Sequence, residues 1–173
     1  MLLEGEDGEV NRQSVVVGVD GSAASFTALR WVLACRRRTD VMLRAVRCWT
    51  PVLTRGCEAA VAAQPMPTLA EQQAHARHQL AQIVAAVLIE VPRSSGRVVV
   101  QQRVVCSPAG PGLVSQAAMA DLLVIGNGQQ ASEALHQSVR WYCIQHAHCP
   151  VLLFPPAMAT RRAPSPVLAG VPA

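Results

Sequence analysis

The chain reads as an α/β domain with a doubly wound, mostly parallel five-stranded sheet, Rossmann-like in outline. Apolar runs alternate five times with stretches of helical periodicity, the signature of successive β-α units. Several of those runs are nearly continuous in Val, Leu and Ile, as expected for strands covered on both faces. With 173 residues, 51% of them hydrophobic and 15% charged, the chain is long enough to bury one real core.

The first run, "SVVVGVD" at 14–20, predicts a buried strand ending in an Asp-Gly-Ser turn. Ser22 is the expected N-cap of a helix reaching about Arg37, with Phe26, Leu29, Val32 and Leu33 facing inward. "VMLRAVRCW" at 41–49 is the second strand. Residues 50 to 67 hold Pro51, Gly56, Pro65 and Pro67 and read as a loop. Thr68 and Glu71 then form a capping box. It opens a long amphipathic helix with the stripe Leu80, Ile83, Val84, Val87, Leu88 and Val91, stopped by Pro92 and "SSG".

"RVVVQQRVVC" at 97–106 is the third strand, and "SPAGPGLVSQAAM" is a short helix weakened by its early glycines and Pro111. "DLLVIG" at 121–126 is the fourth strand, with Asp121 as a turn residue. A fourth helix uses Leu135, Val139, Tyr142, Cys143 and His146, and Ser132 could cap it early. "PVLLFP" at 150–155 is the fifth strand. Three segments follow: an acidic, flexible start (1–12), one domain (13–155) and a Pro/Ala-rich flexible tail (156–173).

All fifteen cationic side chains are arginine. Without lysine there is no P-loop lysine, no kinase-type lysine, no Schiff base and no receiver-domain lysine. Net charge is +4. Because Glu4, Glu6, Asp7 and Glu9 crowd the start, residues 10 to 173 carry fifteen Arg against seven acids, or +8. No nucleic-acid-binding motif accompanies that charge, and "RRR" at 36–38 suits the end of a helix, so nucleic acid is not an expected partner. No apolar run approaches the ~18 residues that cross a bilayer. The N-terminal segment lacks the pattern of a secretory signal, which makes a cytoplasmic protein the expectation.

Six cysteines (Cys35, Cys48, Cys57, Cys106, Cys143 and Cys149) form no C-x-x-C pair and suit free thiols. "CIQHAHC" at 143–149 gathers metal-capable side chains too tightly to converge tetrahedrally, and no metal is expected there. His75 and His78 share a Gln-rich helical face and should meet solvent. Ser22 lies in no G-x-S-x-G elbow. Asp20 is a lone carboxylate without a paired acid or His motif. No catalytic constellation emerges, and a non-enzymatic role is expected.

In sheets of this type ligands sit beyond the carboxyl ends of the strands, where strand order reverses. Asp20, Trp49 and the stretch after Gly126 lie at such ends. "IGNGQQASEALHQSV" at 125–139 places two glycines there, the right chemistry for a phosphate cradle, followed by bulky amides.

Taken together, "VVVGVDGSAASFTALRWVL", "ADLLVIGNG" and "SVRWYCIQHAHCPVLLF" resemble the universal stress protein family over about residues 13 to 155. The resemblance implies a five-stranded domain, commonly dimeric through the edge strand, that acts in stress adaptation. ATP-binding members carry G-x2-G-x9-G-[ST] after the fourth strand, where bare backbone approaches the phosphates. Gly126 matches the first glycine, Gly128 lies one residue early and Gln129 takes the second glycine's place. Ser138 matches the hydroxyl, but Gln137 replaces the glycine before it, and the span is two residues short. Asp20 and Cys48 match positions lining the nucleoside half, and Val139 follows the serine as the pattern expects. The resemblance thus implies a stress-adaptation module with a degraded phosphate loop and weak or no ATP binding. The alternative is a sensor of ATP or AMP that keeps adenosine recognition through Asp20, Cys48, Gly126, Gly128, Ser138 and Val139. A homodimer through the apolar fifth strand is expected in either case.

Overall fold

A computed structural model describes residues 13–35, 41–52, 67–91, 100–127 and 139–155. The elements run β1 (Gln13–Gly18), α1 (Ala23–Cys35), β2 (Val41–Trp49), α2 (Leu69–Glu90), β3 (Val100–Cys106), α3 (Ala109–Gln116), β4 (Leu122–Gly126), α4 (Val139–His146) and β5 (Val151–Phe154). The sheet order is β3-β2-β1-β4-β5, and every pairing is parallel.

Alternation along each strand sends side chains to two separate cores. Val15, Val17, Leu43, Ala45 and Val124 face α1 and α2, where they meet Leu29, Leu33, Leu80 and Val87. Val16, Val46, Leu123 and Ile125 face α3 and α4, where they meet Leu113, Ala117 and Cys143. A sheet covered on both faces explains why its central strands are apolar throughout. β3 and β5 are the two edges. β3 carries exposed Gln101, Gln102 and Arg103, whereas β5 is apolar and half-buried along its whole length.

Ser22 caps α1: its Oγ accepts the Ser25 N–H at 3.2 Å. The inward face of α1 holds Ala24, Ser25, Ala28, Leu29, Val32 and Leu33, while Phe26 is only partly buried. Small side chains at Ala24 and Ser25 let the first turn of α1 approach the sheet, and Phe26 packs against the same core from its margin. The Thr68–Glu71 capping box is formed as expected: the Thr68 oxygen accepts from the Glu71 N–H at 3.2 Å, and the Glu71 carboxylate accepts from the Thr68 N–H at 2.6 Å. Along α2, Ala76, Leu80, Val84 and Val87 are buried, and Ile83, Leu88 and Val91 pack at the margin.

Asp121 does more than turn the chain. Its backbone N–H donates to the Ser14 carbonyl at 2.8 Å, and its Oδ2 accepts the Ser14 N–H at 2.7 Å, so it pins the start of β4 to β1. The expectations for 1–12, the arginines at 36–38, Cys57, Ser132, Leu135 and the tail from 156 fall outside the described residues.

Candidate functional site

Strand order reverses between β1 and β4: the chain leaves β1 toward β2 on one side, and β4 joins on the other. A cleft of about 110 Å³ opens at their carboxyl ends, on the face covered by α3 and α4. That is smaller than the roughly 300 Å³ at the low end of enclosed small-molecule pockets, so the cleft holds part of a ligand rather than surrounding one.

Four of the six candidate residues line it: Asp20, Cys48, Gly126 and Val139. Gly128 and Ser138 lie outside the described residues, as do Gln129 and Gln137. Trp49 does not line the cleft; the pleat sends Cys48 toward it and Trp49 to the opposite face. The floor is apolar, built from Val46, Ala109, Leu113 and Ile125. Such a floor suits the face of a flat heterocycle.

Asp20 follows β1, and its Oδ1 accepts the Ser22 N–H at 2.8 Å, closing the Asp-Gly-Ser turn. Gly21, between them, has φ +90°, a left-handed conformation that glycine adopts without penalty. Partial burial of the carboxyl pushes its pKa up, but hydrogen bonds from Ser22 and Ser25 outweigh that effect and hold it below the ordinary 3.8. The residue as a whole stays exposed. Asp20 is therefore an anion near neutral pH, held in place and open to a ligand's hydroxyl groups.

Cys48 sits half-buried at the end of β2, its Sγ directed at the Ala109 carbonyl at 3.8 Å. Burial raises its pKa. Behind it, the Cys143 thiol is fully buried; burial, and then the neighbouring Cys48, push it up to about 11. Both are neutral thiols at physiological pH. In that state a thiol is a weak nucleophile.

Gly126 has a structural reason to be glycine. A Cβ built there would stand 2.6 Å from the Ser25 backbone nitrogen and 2.9 Å from the Ala24 carbonyl carbon. The close approach that the spacing suggested is made to the first turn of α1, before any ligand is considered.

Arg140 also lines the cleft, a residue that sequence reasoning passed over. Among the described residues it has no carboxylate within salt-bridge distance, the ion pair present being Arg30–Glu90. The first turn of α4 contains no acidic residue. No local sequence pattern marked it, since an arginine on a helical segment ordinarily faces water. His146 lies against the Tyr142 ring, with centroids 4.3 Å apart. Among the described residues no group of three or more His, Cys, Asp or Glu converges on a point, and no helix is long and apolar enough to cross a membrane.

The sequence profile of the "Universal stress protein family" matches residues 11–155. Universal stress protein Rv2623 of Mycobacterium tuberculosis is 30% identical over 162 residues, 91% of this chain and 53% of that protein. The chain thus spans about half the length of the curated relatives it matches. A universal stress protein crystallised in complex with cAMP superposes with a TM-score of 0.55 at 22% identity, covering 82% of this chain and 95% of that one. The universal stress protein from Archaeoglobus fulgidus in complex with dAMP gives 0.52 at 17%, covering 84% and 98%. At those identities the two structures establish the common fold. Joined to a profile that spans nearly the whole sheet and its helices, they make the chain a member of the universal stress protein family.

Proposed function

We propose that the protein is a non-catalytic stress-adaptation module that binds an adenosine compound through the nucleoside half of its cleft and grips a triphosphate weakly. One observation carries this reading: Asp20, Cys48, Gly126 and Val139, drawn from four elements or their ends, line a single cleft over an apolar floor. Related folds have been seen with cAMP and with dAMP, which supports an adenine-bearing ligand. The apolar floor takes the base, and Asp20 takes ribose hydroxyls as a hydrogen-bond acceptor.

Gln129 and Gln137 stand where ATP-binding members have glycine, and side chains at close-approach positions crowd a polyanion. The neutral Cys48 and Cys143 thiols and the unpaired Asp20 carboxylate offer no nucleophile–base pair, which favours binding without turnover. Assembly as a homodimer through β5 is part of the same reading, supported by an apolar edge strand that would otherwise present unpaired backbone groups.

Isothermal calorimetry with adenosine, AMP and ATP tests the proposal. Saturable adenosine binding, with ATP no tighter than AMP, is the expected result. Micromolar ATP affinity well above that for AMP would show an intact phosphate cradle.

A further inference from the structure

Among the described residues, two charged side chains line the cleft, and they have opposite sign. Asp20 stands at the end of β1 and Arg140 on α4; every other described lining residue is neutral. Asp20 is already engaged, its carboxylate held by Ser22 and Ser25. Arg140 has no carboxylate partner among the described residues. It is half-buried, so its charge is screened less than that of a free surface arginine. Val139 and the residues after it in the described part of α4 supply no acid to balance it.

We propose that Arg140 is the phosphate-recognition residue of this cleft and that it selects a nucleoside monophosphate. The proposal rests on the adenosine-binding reading above and adds the part that reading leaves open, namely what holds the phosphate when glycines of the family loop are replaced. A phosphate monoester carries about two negative charges near neutral pH. A guanidinium meets it with two parallel N–H donors. The Asp20 carboxylate repels the same group, so one orientation is favoured: ribose toward Asp20, phosphate toward Arg140. Recognition moves from a backbone cradle wrapped around a triphosphate to one side chain facing one phosphate.

Calorimetry on the wild type, Arg140→Gln and Arg140→Lys, each titrated with adenosine and with AMP, tests this. Circular dichroism melts confirm that the variants fold. A charge-assisted contact corresponds to roughly a 10- to 100-fold preference for AMP over adenosine in the wild type. Arg140→Gln should abolish that preference, and Arg140→Lys should keep part of it. Adenosine binding without any AMP preference, or a preference that survives Arg140→Gln, overturns the role of Arg140 alone. Failure of the wild type to bind either ligand overturns both this proposal and the adenosine reading beneath it.

Discussion

Gly126 presses on Ser25: a Cβ added to the glycine would lie 2.6 Å from the serine's backbone nitrogen. This contact sets the carboxyl end of β4 against the first turn of α1, the same turn that anchors Asp20 through Ser22 and Ser25. One glycine therefore ties two walls of the cleft together.

Replacing it should show both effects. Gly126→Ala meets backbone atoms that cannot rotate away, so the strand or the helix must shift. Overpacking of this kind costs about 1–3 kcal/mol. Urea unfolding should report that loss, and adenosine affinity should fall with it because the Asp20 turn is displaced.

Asp20 makes acid sensitivity predictable. Its folded pKa is depressed below 3.8, so its contribution to stability is fully present above the ordinary carboxylate value and is lost as pH falls through the lower, folded value. Comparing urea midpoints of the wild type and Asp20→Asn should give a constant difference above about pH 5 that shrinks below about pH 4. A difference independent of pH would remove the carboxylate from the account.

Thiol reactivity separates the cysteines. Cys106 is exposed, whereas Cys143 is fully buried and shifted to about 11. With iodoacetamide near pH 8, peptide mapping should find Cys106 modified before Cys48, and Cys48 before Cys143, because burial shields Cys48 only partly and Cys143 fully.

Thr68→Ala removes the side-chain half of the capping box on α2. A loss of about 1 kcal/mol is expected from the N-cap alone. Leu80, Val84 and Val87 lie beyond the first turn and stay packed, so the thermal midpoint should drop without any change in ligand affinity.

These cases also show what sequence could reveal. The Thr68–Glu71 box and the Ser22 cap were legible because each is a local pattern of three or four residues, and the five strands were legible because burial on both faces makes them apolar. Asp20 could be placed at a strand end because an apolar run stops there at Asp-Gly-Ser, and Cys48 by family resemblance. The reason for Gly126 was hidden, since its partner Ser25 is distant in the chain and the spacing suggested a ligand as the close neighbour. Arg140 was hidden too: an arginine beside Trp141 and Tyr142 reads as helix surface until α4 packs beside α3 and turns it toward the cleft. The ladder role of Asp121 likewise depends on Ser14, which no local pattern connects to it.

The central claim is that the ends of β1, β2 and β4 form the adenosine site. Amide chemical-shift mapping of ¹⁵N-labelled protein titrated with adenosine tests it most directly. The account predicts the largest saturable shifts at Val19, Asp20, Cys48 and Gly126, with β3 and the outer face of α2 silent. Shifts centred elsewhere, or none at millimolar adenosine, would contradict it.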